Sequence, residues 1–201
     1  GNTKMFYGAE VVNNEVESTG TDEDITTGET VTGPSRYPQS TWSSYAAYLS
    51  LEHHFTQKIM VSGGVRYNQY LMDADFTNNL PFYPLPESNV KINDGALTGS
   101  LGLVFNPTDK WSINVNASTG FRAPNVDDLG KIFDSEAGSV VVPNPDLEAE
   151  YAYNAEVGVS KIFGEFLKFE VAGYYTLLEN AMVRRDYTLN GEDSIIYDGE
   201  L

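Results

Sequence analysis

The chain has 201 residues, enough for one domain with a sizeable core. Its 12 basic and 29 acidic residues leave a formal net charge of −17, which excludes the basic footprint that nucleic-acid phosphates require. It has no cysteine, which excludes disulfide frameworks, cysteine-ligated zinc and thiol catalysis.

The only histidines are the neighbours His53 and His54, with no nucleophile elbow nearby, so a Ser-His-Asp site is not expected. Asp127 and Asp128, or Asp22 to Asp24, would lie in exposed loops without the shaped pocket that acid–base carboxylates need. No oxygen-ligand loop motif for calcium is matched. The expectation is no catalytic residue, no metal and no cofactor. No run of about 18 apolar residues is present, so no membrane-spanning helix is expected. The abrupt start at Gly1-Asn2-Thr3 and abrupt stop at Gly199-Glu200-Leu201 read as a piece of a longer protein.

Aromatic and β-branched stretches of period two alternate with polar stretches rich in Asp, Asn, Gly, Pro and Thr, so the class is all-β. The first strand is predicted over Thr3–Val16, followed by a long acidic loop, Glu17–Thr41. A second strand covers Trp42–Phe55 and a short connection Thr56–Lys58. A third runs from Ile59 to about Asp73, and a second long loop with Pro81, Pro84 and Pro86 extends to Asp94. The fourth strand, Ala96–Phe105, ends in the tight turn Asn106–Asp109, where Pro107 suits the turn. The fifth, Trp111–Phe121, precedes a third long loop. The sixth is Tyr151–Phe163, with a turn at Gly164. The seventh runs from Glu165 to about Tyr187, and a turn at Asn190-Gly191 leads into the start of an eighth, Ser194–Leu201.

Loop lengths run long, short, long, short, long, short and then moderate. In an antiparallel up-and-down meander successive connections fall at opposite ends, so the long loops gather at one end and the tight turns at the other. Outer-membrane barrels are built this way. The strands also exceed the ~9–11 residues that cross a bilayer, so their ends should project beyond it. One face of each strand is apolar (Val115, Val157, Leu49, Val171) and the other polar (Asn116, Glu156, Ser50, Arg66). Trp111, Phe121, Tyr151, Tyr153 and Tyr175 lie toward strand ends, as interfacial girdles require. The same alternation fits a soluble sheet with one wet face. A soluble, secreted β-sandwich that binds carbohydrate or acts in adhesion therefore stays open, as does a non-transporting porin-like wall.

Two short boxes carry a more specific signal. "GFRAPNVDDL" contains Phe121, Arg122, Ala123 and Pro124 at a strand end. "VVVPNPDLEAEYAYNAEVGV" contains Asn144, Pro145, Asp146 and Leu147 before the next strand, which then carries Glu156. With "YGAEVV", "GGVRY" and "LKFEVAGYYTLLENAMVRRD", nearly the whole chain resembles the barrel of TonB-dependent outer-membrane receptors, closest to the branch for haemoglobin, transferrin, lactoferrin or haem-iron uptake. The resemblance implies part of a 22-stranded transmembrane β-barrel over residues 1–201, about seven strands and the start of an eighth, with the plug domain absent. It implies a bacterial outer-membrane receptor for active transport of an iron complex, whether siderophore, haem or iron-protein derived. The implied partners are TonB, through an N-terminal region absent here, an iron-chelate or haem-type ligand, and outer-membrane lipid. Haem receptors carry a ligand histidine between the two boxes; Ala123–Pro143 contains none.

The residues of the boxes read physically as strand-ending and strand-starting devices. Pro124 cannot donate to a ladder, and Asn144-Pro145-Asp146 is turn chemistry. Arg122 and Arg66 fall on the polar face, where wall or plug carboxylates pair with them; Glu156 and Glu170 are the partners expected in the wall. With only part of a barrel, two strand edges stay open, so the isolated chain is expected to self-associate.

Overall fold

The computed structural model describes residues 2–132 and 139–196. Seven long strands form one antiparallel sheet in sequential order: β1 (Thr3–Val16), β4 (Gln39–His54), β5 (Ile59–Asp75), β6 (Asn89–Thr108), β7 (Trp111–Arg122), β8 (Glu150–Phe163) and β9 (Leu167–Glu179). No crossover interrupts this order, so the long and short connections do fall at opposite ends. No second sheet packs across it to make a sandwich; the only other sheet among the described residues is a two-stranded hairpin.

The short end is closed by three turns. Thr56 Oγ1 accepts from the N–H groups of Lys58 and Ile59, both at 3.1 Å. Thr108 pairs with Trp111 after an irregularity in the β6–β7 register. Gly164 sits at φ +62°, a conformation that side chains rarely adopt.

The ladder registers fix the faces. Rows such as Leu103–Val115–Val157 and Val159–Val171 stand on one face, whereas Ser62–Gly102–Asn116–Glu156 and Tyr48–Arg66 stand on the other. Exposure alternates with them. On β8 Tyr153, Ala155, Val157 and Val159 are exposed, while Asn154 and Glu156 are half-buried and Gly158 is buried. The polar face is thus the more crowded, inner side, and an apolar band covers the outer side. On β7 that band runs from Trp111 to Thr119, about the length a tilted strand needs to cross hydrocarbon.

Toward the long-loop end the polarity of the two faces inverts. The outer face carries Asn13, Thr41, Ser43, Gln69, Asp73 and Lys91, while the inner face carries Trp42, Tyr70, Met72, Ala74, Val90 and Ile92. Outer groups there need water, and inner groups need cover. The cover comes from the loops: Phe76, Tyr83, Leu85, Leu129 and Ile132 pack on Tyr70, Met72, Val90 and Ile92. Phe76, Tyr70, Leu129 and Ile132 are fully buried, each contributing roughly 1.5–3 kcal/mol by apolar burial. The chain's core is therefore at one end of the sheet. Phe121 and Tyr151, expected in an interfacial girdle, are half-buried against this cluster instead.

Four elements depart from the sequence reading. The acidic loop Glu17–Thr41 contains a hairpin, β2 (Gly20–Glu23) with β3 (Thr30–Gly33). β6 begins at Asn89, well before Ala96, because Val90 and Ile92 alternate into the core. The seventh predicted strand stops at Glu179, where Asn180 adopts φ 54° and turns the chain out of the ladder. Ser194–Ile196 form no strand, and the remainder of the predicted eighth lies outside the described residues. The Asn190-Gly191 turn exists, with φ 55° and 88°, but it closes only a single bridge between Leu189 and Glu192.

Candidate functional site

The three long connections fold together over the inner face. The first and second are joined at Asn79, which is fully buried: its Nδ2 donates to the Ser35 carbonyl at 2.6 Å and its Oδ1 accepts from the Ser35 hydroxyl. The first and third are joined where Tyr37 Oη donates to Asp127 Oδ1 at 2.9 Å and the Ile132 N–H donates to the Arg36 carbonyl at 2.9 Å. Gly130 approaches so closely that an added Cβ would lie 2.7 Å from Phe76 Cζ.

The Phe121–Pro124 box is the hub of this roof. The regular β6–β7 pairing ends at Ser100–Ser118. Beyond it the Thr119 hydroxyl takes over, accepting from Gly99 N–H at 2.8 Å. β7 is thereby free to lean toward the loops. Arg122 then donates through Nε to Glu150 Oε2 at 2.6 Å and through a terminal nitrogen to Asp128 Oδ2 at 2.7 Å. Glu150 also accepts from the Met182 N–H at 2.6 Å. One guanidinium thus ties the ends of β7 and β8 to the short helix α1 (Val126–Gly130) and to the segment after β9. The partners expected from sequence, Glu156 and Glu170, are too far down the wall; Glu150 and Asp128 stand level with Arg122 at the rim. Glu150 and Arg122 lie above the outer apolar band. There the guanidinium, followed by the Met182 N–H, holds the Glu150 carboxyl below the ordinary glutamate range.

Asn125 caps α1: its Oδ1 accepts from the Asp128 N–H at 3.0 Å, and Asp128 Oδ2 accepts from the Asn125 N–H at 3.1 Å. Pro124 is fully buried, and its carbonyl accepts from Trp42 Nε1 at 3.2 Å. Ala123 is half-buried against the same cluster.

The second box is simpler. Asn144 Oδ1 accepts from the Asp146 N–H at 3.0 Å, which makes the turn. Asn144, Pro145 and Asp146 are exposed at its tip, while Leu147 and Ala149 tuck into the loop core.

Lower on the inner wall Arg66 donates to Glu10 Oε1 at 2.8 Å and to Asn68 Oδ1 at 3.3 Å, and Asn68 donates to Ser44 Oγ at 2.9 Å. Glu156 stands between Asn116 and Tyr174 in the ladder. Glu170 pairs with Lys168 at 2.6 Å. The structure therefore gathers Arg122, Pro124 and Leu147 into one roof and leaves Arg66 and Glu156 as separate wall groups. His53 and His54 lie at the short-turn end, where Thr3 Oγ1 meets His53 Nδ1 at 2.7 Å and Glu52 meets His54 Nε2 at 3.1 Å. Trp42 and Glu150 were not singled out from sequence, and Asp128 was weighed there only with Asp127 as an acid–base pair, not as a partner of Arg122. The Asn125-x-x-Asp128 spacing of a capping box was the one local signal available.

A family model described as "TonB dependent receptor-like, beta-barrel" matches residues 2–194. A comparison with curated proteins gives no match. Solved structures share the fold. The copper transporter OprC superposes with a TM-score of 0.72 at 18% identity, over 89% of this chain and 28% of its own. The Serratia marcescens hemophore receptor HasR, solved as a double mutant with its hemophore HasA and heme, gives 0.68 at 16% identity, over 89% and 30%. The ferric yersiniabactin uptake receptor FyuA of Yersinia pestis gives 0.58 at 20% identity, over 94% and 27%. This chain thus spans somewhat under a third of each neighbour. Outward apolar band, polar inner wall, long loops at one end and a family match along nearly the whole sequence agree: the chain belongs to the TonB-dependent receptor-like β-barrel family of the bacterial outer membrane.

Proposed function

We propose that this chain is a wall segment of an active-transport receptor that takes up an iron complex, a siderophore, haem or iron drawn from a protein. The observation that carries the reading is the roof. Three long loops are packed into one apolar core over the end of a polar inner wall, and they are held there by Arg122, Asn79 and Trp42. Such an end can receive a ligand from outside and pass it to a wetted lumen. The family consists of transport receptors, which accords with a non-enzymatic role. The names of structural neighbours span ferric siderophore, hemophore with heme, and copper, so the metal complex is the shared chemistry. On this reading, residues 1–201 form part of a 22-stranded barrel. A plug and a TonB-contacting segment elsewhere in the receptor couple it to energy, and the two boxes set the roots of the third loop. Both histidines are at the far end of the sheet, so this chain would offer no imidazole to a haem held under its roof.

The test is uptake by cells that carry or lack the full-length receptor. Radiolabelled iron is supplied as ferric siderophore, haem or a haem protein, with and without a proton uncoupler, and a copper salt is supplied in parallel. Receptor-dependent, uncoupler-sensitive entry of one iron source is expected. Entry of copper alone, or diffusion of all sources that the uncoupler leaves unchanged, would overturn the iron reading or the active-transport reading respectively.

A further inference from the structure

Among the described residues, one cation stands on the outer face at the short-turn boundary of the apolar band. Lys161 Nζ lies 4.5 Å from the Trp111 ring centroid and 4.6 Å from that of Phe163. It occupies the ladder row Trp111–Lys161–Phe169, directly below the aliphatic rows Ile113–Val159–Val171. Ring faces attract an ammonium but accept none of its three N–H donors in the way an anion does. No carboxylate pairs with it among the described residues, although the chain carries a net charge of −17.

The surrounding charge is mixed, because Asp109 and Glu165 stand in the same short turns. Five of the seven lysines, Lys4, Lys58, Lys110, Lys161 and Lys168, stand at the short-turn end. Lys4 and Lys168 are taken by Glu52 and Glu170, and Lys58 donates to the Pro107 carbonyl. Lys110 and Lys161 have no such acceptor among the described residues. The Lys110 carbonyl accepts from the Ile162 N–H at 2.8 Å, which holds that turn beside Lys161. An outward ammonium at this height on a lipid-facing wall stands at the level of the phospholipid headgroups, below the apolar row Ile113–Val159–Val171.

We infer that Lys161, flanked by Trp111 and Phe163 and backed by Lys110, is a phospholipid-phosphate site facing the leaflet on the short-turn side. It rests on the outer-membrane placement and is independent of which complex is transported. Native mass spectrometry of the full-length receptor in detergent, titrated with phosphatidylglycerol or with diacylglycerol of the same chains, tests it. The intact receptor should retain phosphatidylglycerol more tightly than diacylglycerol. Lys161→Gln should weaken that retention about fivefold, the order expected for one lysine at an anionic surface. Lys168→Gln, an equal charge change on the inner face, should leave it unchanged, and Lys161→Arg should preserve it. Equal losses for Lys161→Gln and Lys168→Gln, or equal retention of the two lipids, would overturn the site. Displacement of the lipid by millimolar inorganic phosphate would show a free-anion site instead. Trp111→Leu gives a second variant should Lys161→Gln fail to fold, and it should lower retention without any change of charge.

Discussion

Replacing Arg122 by alanine removes the cation that bridges Glu150 and Asp128. The Arg122 side chain is 45% exposed, whereas those of Glu150 and Asp128 are 14% and 19% exposed. A charge-assisted hydrogen bond contributes about 1.5–3 kcal/mol, and exposure of the arginine reduces each toward about 1 kcal/mol. Two such bonds give about 2 kcal/mol. Some of that loss is repulsion between two carboxylates left facing each other, so Arg122→Ala with Glu150→Gln should recover about 1 kcal/mol relative to Arg122→Ala alone. The loss is local to the roof, because the β7–β8 ladder below is unaltered. Hydrogen exchange by mass spectrometry on the full-length receptor reads it directly. Peptides covering Val126–Gly130 and Met182 should exchange faster by roughly 30-fold, the kinetic equivalent of about 2 kcal/mol, while peptides from β4 and β5 stay protected. Unchanged exchange at both Val126–Gly130 and Met182 would refute the clamp. A uniform rise across β7 and β8 would show that Arg122 supports the wall and not the loop roof.

Val157 is outward, exposed and bordered by Val115 and Gly173 in its row; Val157→Arg should cost about 2–4 kcal/mol in unfolding from a bilayer, against a much smaller cost for Glu156→Arg next to it. The Glu150 carboxyl is held below its ordinary value of about 4.3. Its contribution is therefore complete above that value and is lost as pH falls through the lower, folded one, so Met182 exchange should stay slow at pH 6 and quicken only once the pH has fallen below the ordinary glutamate value. Loosening already at pH 6 would assign the protection elsewhere. Among the described residues β1 and β9 pair on one side only, and β9 is exposed along its length. The isolated 201-residue chain should therefore self-associate in size-exclusion chromatography with light scattering, and a dilute detergent-free monomer at 22.2 kDa would contradict this.

The wall was legible from sequence because period-two patterning and turn chemistry are local. Ser50, Arg66, Asn116 and Glu156 share the inner face that the alternation assigned to them. The roof was not legible in the same way. Val90 and Ile92 alternate as strand residues, but Asn93-Asp94 beside them reads as a turn, and only packing against Leu129 and Ile132 decides for the strand. Phe121 and Tyr151 have the composition of an interfacial girdle; the splay of β7 at Thr119 turns them toward the loops. The β2–β3 hairpin is carried by Thr-rich, acidic residues with no apolar face to betray it. For Arg122 the sequence supplied the charge and the face, but the height of its partners depended on where β8 begins, at Glu150.

The claim on which the rest stands is that neighbouring residues of one strand meet lipid and water in turn. Because the chain has no native cysteine, single cysteines can be placed within it at Val157 and Glu156 without a competing thiol from this segment. With any cysteines elsewhere in the full-length receptor replaced, the two variants are compared in native outer membranes. The account predicts that Val157→Cys resists a water-soluble maleimide and that a probe attached there is quenched from the bilayer. It predicts that Glu156→Cys reacts with the maleimide once the lumen is open to it and escapes the lipid quencher. Equal labelling of both, or the reverse pattern, would contradict the membrane-spanning wall.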